Sequence, residues 1–161
     1  MDEGCVLLDT SFFIRLLNAN DALHKNVLGY YKYFLEKGYR LKCSSVSVAE
    51  YCVKGSVDEL PLKNLEILPF NLKHAVTAGR FAKQVFGERQ SLDLGNRLII
   101  PNDSKLFAQA HTENEIISFA TSDVECIKIF TFLNQNNSLN FEIINIRDSF
   151  ESAFGILPFQ D

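Results

Sequence analysis

The stretch Cys5-Val6-Leu7-Leu8-Asp9-Thr10-Ser11 runs through four apolar residues and stops at an acid followed by two hydroxyls. A short unbroken apolar run is the pattern of a strand buried on both faces, as in a parallel sheet. Asp, Thr and Ser are residues that begin helices. The reading is therefore strand, then helix, the first half of a βαβ unit. Phe12, Phe13, Leu16 and Leu17 carry that helix to the polar break at residues 18–21, and a second, amphipathic helix follows from about Ala22 to Lys37, closed by Gly38. The rhythm then repeats. Arg40-Leu41-Lys42-Cys43 is expected to be a strand, after which Ser44-Ser45 caps a helix carrying Val46, Ala49, Glu50 and Val53.

A third strand is expected over Leu65 to Phe70, and a helix from Asn71 or Leu72 to about Val85. The segment from Gly87 to Asn102, with its glycines, proline and mixed charge, reads as a loop or short irregular piece, so that Asp103 opens the next helix. Ile116 to Thr121 reads as a strand, Asp123 to about Leu133 as a helix, and Phe141 to Ile146 as a last strand. Alternation of this kind predicts a three-layer α/β/α fold with a mostly parallel central sheet, in a single domain over residues 1–161.

With 47% hydrophobic residues and 14 phenylalanines in 161 residues, the chain has ample material for a core. No apolar run approaches the ~20 residues that span a bilayer, and the acidic start Met1-Asp2-Glu3 lacks the basic region of a signal peptide. A cytoplasmic protein with no membrane association is expected. The four cysteines (Cys5, Cys43, Cys52, Cys126) form no C-x-x-C pair, which excludes a thiolate zinc or redox motif and leaves reduced, half-buried thiols. His24, His74 and His111 share no spacing and read as helix-surface residues, and Arg15, Lys54, Arg80, Arg89, Arg97 and Lys105 as scattered surface cations rather than a basic patch.

The net charge of −4 disfavours a protein that holds nucleic acid by broad attraction. Four carboxylates neutralised by bound cations would, however, account for all of that excess. In an open parallel sheet a ligand site lies beyond the carboxyl ends of the strands, where strand order reverses. Asp9 and Asp123 both leave strands at that end, while Glu50 and Asp103 arrive from helices. Taken singly, Asp9, Asp103 and Asp123 read equally as helix caps and Glu50 as a solvated helix residue. Taken together they converge on one rim, where like charges repel unless a divalent cation neutralises them. Hard oxygen ligands suit Mg²⁺ or Mn²⁺, and phosphodiester hydrolysis by an activated water is the chemistry such a site performs.

These residues resemble the signature of PIN-domain nucleases, especially the VapC-like toxin halves of bacterial and archaeal toxin–antitoxin pairs. Val6 to Ser11 is similar to the family's first acidic motif, Ser44 to Glu50 to the second, Ile100 to Ala110 with Asp103 to the third, and Thr121-Ser122-Asp123 to the fourth. The resemblance implies a parallel sheet flanked by helices and Mg²⁺- or Mn²⁺-dependent cleavage of single-stranded or structured RNA. It further implies an antitoxin partner and homodimerisation. In it Asp9, Glu50, Asp103 and Asp123 are the catalytic metal ligands, and the hydroxyls of Thr10, Ser11 and Thr121 orient carboxylates or water. Where many relatives carry another acid and an aromatic after the fourth motif, this chain has Glu125-Cys126-Ile127, so Glu125 either substitutes for the fifth acid or that acid is missing.

Other classes fit less well. A haloacid-dehalogenase-type phosphatase needs a second Asp two residues after the first, where this chain has Ser11, and no G-x-G-x-x-G or P-loop follows any strand. The principal alternative is a catalytically inactive PIN-like scaffold that binds RNA or protein.

Overall fold

The computed structural model describes residues 4–95 and 99–156. Five strands, β1 (Cys5–Leu8), β2 (Arg40–Ser44), β3 (Leu65–Leu68), β4 (Ile116–Thr121) and β5 (Glu142–Asn145), form one sheet in the order β3-β2-β1-β4-β5, with every pairing parallel. Helices cover both faces: α1 (Thr10–Leu16) and α2 (His24–Glu36) lie on one, α4 (Leu72–Glu88), α5 (Ile99–Thr112) and α6 (Val124–Asn137) on the other. A short α3 (Ser45–Tyr51) leaves the end of β2, and α7 (Phe150–Ala153) follows β5. This is the three-layer α/β/α arrangement expected from the alternating pattern.

The alternation of side chains along β1 shows why its sequence is apolar throughout. Val6 and Leu8 face Phe12, Phe13, Tyr30 and Phe34, whereas Cys5 and Leu7 face Phe81, Phe107 and Phe119, and all of these are buried. A central strand with helices on both sides has no solvent face on which to place a polar residue. Phe107 sits 5.0 Å from Phe119 and 5.9 Å from Phe141, ring centre to ring centre, so truncating it to Ala would cost ~3–5 kcal/mol.

Local signals end the elements where expected in most places. Gly38 takes a φ of 79° after α2, the left-handed conformation that glycine adopts freely. Ser44 caps α3, its hydroxyl accepting from the Val46 amide at 3.0 Å. Two features differ from the sequence reading. The segment from Gly87 to Asn102 is not all loop: α4 continues to Glu88 and α5 already begins at Ile99. Phe86 and Ile99 pack onto the core and draw the helices toward each other, and Pro101 is tolerated because an amide in a first helical turn has no intrahelical partner to lose. Asp103 is thus the fifth residue of α5 and does not open it. The second feature is α7, too short to carry a periodic signal. Phe150 and Phe154 close on Tyr30 at 6.2 and 5.7 Å, and Phe150 comes so near α2 that a Cβ on Gly29 would fall 2.4 Å from its ring.

Candidate active site

Because β1 is central and the chain winds outward from it in both directions, the strand order reverses between β1 and β4. Asp9 leaves β1 at that point and Asp123 leaves the neighbouring β4 two residues past its end. Glu50 comes from α3, which follows β2 on the other side of β1, and Asp103 descends from α5. All four carboxylates line one cavity of about 1210 Å³. Four elements remote in sequence therefore deliver like charges to one place.

Each acid is held differently. Asp9 occupies the N-cap position of α1, but its side chain makes no capping bond. Its Oδ2 instead accepts from Ser11 Oγ and Thr121 Oγ1, both at 2.8 Å, so hydroxyls rather than helix amides hold it. Burial pushes its carboxyl above the usual range, opposed by those two donors. Asp123 does cap α6: its Oδ1 accepts from the amides of Glu125 at 2.9 Å and Cys126 at 3.4 Å, and among the described residues Oδ2 makes no hydrogen bond. Glu50 is not a freely solvated helix residue, since Thr10 Oγ1 and Asn102 Nδ2 each donate to it at 2.6 Å.

Asp103 is the most constrained. Its carboxyl is buried, and Oδ2 finds no hydrogen-bond partner. Burial, followed by the charges of Asp9, Asp123 and Glu50, raises its pKa well above the ordinary value. A buried carboxylate oxygen without a donor is a costly arrangement unless something else supplies positive charge. The donor set is made of hard oxygens, the kind Mg²⁺ and Mn²⁺ take. Among the described residues, however, no group of three or more His, Cys, Asp or Glu is already arranged as around a metal ion. The residues fit a hard cation in kind; their spacing is that of an open pocket.

Glu125 is engaged elsewhere, accepting from the Gly95 amide, and does not line the acidic cavity. The cavity also has apolar lining, with Ile14 of α1, Leu17 just after it and Val53 after α3 all exposed, beside the polar Asn18, Lys54 and Glu59. Sequence reading had no signal for Asn102 as a partner of Glu50, because the contact spans 52 residues. Arg15, read as a solvated cation, donates through Nε to Ser122 Oγ at 2.7 Å and pairs with Asp21 at 2.9 Å. Arg97 lies outside the described residues.

Two further readings are corrected. His74 is fully buried rather than on the surface: its Nδ1 accepts from the Asn71 amide, so Nε2 carries the proton it gives to Glu113 at 2.7 Å. This closes a capping box that needs a side-chain acceptor at the third helical position, a role His fills as Glu would. The thiols are not half-buried either, since Cys5, Cys43 and Cys126 are fully enclosed and Cys52 is exposed, all of them free.

The sheet order and the rim of acids define a PIN-like α/β fold. The chain is similar in structure to one from the crystal structure of VapBC2 from Rickettsia felis bound to a DNA fragment from their promoter. The TM-score is 0.58 at 19% sequence identity, over 87% of this chain and 97% of that one. No protein-family model and no curated protein matches the sequence. Among the described residues no helix is long and apolar enough to cross a membrane.

Proposed function

We propose that the protein is a Mg²⁺- or Mn²⁺-dependent endoribonuclease whose ligands are Asp9, Glu50, Asp103 and Asp123. The observation that carries this reading is the partnerless, buried Oδ2 of Asp103 in a cavity that Asp9, Glu50, Asp123 and Glu59 also line. When bound, such a cation would polarise a phosphodiester and lower the pKa of a coordinated water. The chain's own residues do the positioning. Ser11 and Thr121 aim Asp9, Thr10 and Asn102 aim Glu50, and the end of α6 fixes one oxygen of Asp123 while leaving the other to the cavity. No side-chain nucleophile is needed, and the buried thiols of Cys43 and Cys126, both with raised pKa, supply none.

In this reading the protein is the toxin of a cytoplasmic toxin–antitoxin pair, with single-stranded or structured RNA as substrate, an antitoxin as partner and a homodimer as its assembly. The likeness to a chain of VapBC2 from Rickettsia felis, solved bound to a promoter fragment, supports the pairing. Calorimetric titration with Mn²⁺ tests the metal: the wild type binds at millimolar ion or below and Asp9→Asn binds more weakly. Absence of any heat in the wild type overturns the proposal. Cleavage of an RNA panel, compared with Asp103→Asn, tests the activity. A second reading, a scaffold that no longer cuts, is favoured by the open spacing of the acids; equal rates for wild type and Asp103→Asn would select it.

A further inference from the structure

Ser122, buried beside Asp123, is the meeting point of two guanidinium groups. Arg15 Nε donates to its hydroxyl and Arg147 Nε to its carbonyl, each at 2.7 Å. Arg15 is then neutralised by Asp21. Arg147 is not neutralised: it is exposed, its plane is set by the Nε bond, and among the described residues its two terminal nitrogens have no partner. Asp148, next in sequence, lines a different cavity beneath Tyr30 and Phe34. At the other side of the acids Lys54 lines the acidic cavity, is exposed, and makes no ion pair among the described residues.

The sheet topology orders these groups along one rim. Lys54 follows α3 beyond β2, Asp9 ends β1, Asp123 follows β4, and Arg147 follows β5, in the spatial order β2-β1-β4-β5. Neighbouring strands are ~4.8 Å apart, which sets the end of β5 roughly 10 Å from the end of β1, while Lys54 lines the same cavity as Asp9. We propose that Lys54 and Arg147 are phosphate contacts on either side of the acids, holding the backbone of a single-stranded RNA that crosses the cavity. The proposal rests on the ribonuclease reading. A strand so placed has the phosphate between the two contacts over the carboxylates, while the apolar lining of Ile14, Leu17 and Val53 meets bases. Arg147 offers two free N–H groups in a fixed plane to one phosphate, and Lys54 a point charge, so the site is asymmetric and gives the strand a preferred direction.

The test uses fluorescence anisotropy with a labelled single-stranded oligoribonucleotide in metal-free buffer, on the full-length protein and on Arg147→Gln, Lys54→Gln and Arg147→Lys. Each Gln variant is expected to weaken binding about tenfold and to reduce the slope of log K against log salt by about 0.7, the value for one phosphate contact on a single strand. Arg147→Lys keeps the slope. Lys54→Gln leaves the thermal midpoint in place because that side chain is exposed and unbonded, whereas Arg147→Gln and Arg147→Lys share a small fall from losing the bond to the Ser122 carbonyl, so the comparison of those two isolates the phosphate contact. Where cleavage is measured, KM rises and kcat changes less than twofold. Unchanged affinity and slope in both Gln variants overturn the proposal, as does a loss confined to binding of an acidic polypeptide. If the wild type cleaves no RNA yet both variants lose RNA binding, the nuclease reading fails and the phosphate contacts stand. Cleavage with unaltered KM in the variants has the opposite meaning.

Discussion

The two ends of the sheet treat charge in opposite ways. At the end where the strands begin, Arg40 and Lys42 of β2 interlock with Glu66 of β3 and Glu115 ahead of β4: Arg40 meets Glu115 at 2.6 Å, Lys42 meets Glu66 at 3.1 Å, and Lys42 also bonds Glu115. Burial alone would lower the Lys42 pKa, but the bonds to Glu115 and Glu66 outweigh it and the net shift is upward, while Glu115 is pulled down by its bonds from Lys42 and Arg40. At the end where the strands finish, Asp9, Glu50, Asp103 and Asp123 gather with no cation among the lining residues except Lys54. Opposite charges that pair stabilise the fold; like charges that crowd store a cost that a bound cation relieves. In the proposed reading the contrast separates a rim that holds the fold from one that holds a cation.

The largest test of that contrast is Asp103→Asn. RNA cleavage should fall by more than ~100-fold, because even outer-shell partners of metal ligands are worth 10–100-fold, while the metal-free protein gains stability. Thr121→Val comes next: without its hydroxyl Asp9 loses one of two orienting bonds, and cleavage should drop by ~10-fold or more with metal affinity falling alongside. On the opposite rim Glu115→Ala should leave cleavage intact and lower stability by ~1–2 kcal/mol in denaturant titration, since Lys42 keeps Glu66 as a partner. An activity loss in Glu115→Ala would erase the distinction between the rims.

The smallest effect is on pH. Asp9 and Asp103 have folded pKa values raised above those of the unfolded chain, so the folded state holds protons that the unfolded state releases. Their contribution is present below the ordinary carboxylate pKa of 3.8 and is lost as pH rises through the raised values. The metal-free protein should therefore lose thermal midpoint relative to Asp103→Asn as pH rises above the ordinary carboxylate range, by ~2–4 °C per kcal/mol at this size. Mn²⁺ should restore the loss; a flat difference over that rise would mean Asp103 is not crowded in solution.

The legible parts of the molecule are those set by neighbours in sequence. The strands at residues 5–8 and 116–121 were readable because burial on two faces demands an unbroken apolar run, and Ser44 and Gly38 because caps act within one turn. Asp103 was assigned the wrong place on its helix, since Pro101 reads as a breaker until the packing of Ile99 shows that the first turn already contains it. His74 read as a surface residue because its buried partner, Glu113, is 39 residues away.

Sequence by itself determined the alternation of strands and helices, the parallel sheet and the places of Asp9 and Asp123 at the ends of strands, all consequences of local periodicity and capping. Tertiary structure alone decided that Asp9 accepts from Thr121, that Asp103 keeps an oxygen without a donor, and that Arg147 stands beside Ser122. Those relations join residues up to 112 positions apart, and only the packing of the sheet, which sets strand order and register, brings them within the ~3 Å at which a hydrogen bond or its absence has an energy.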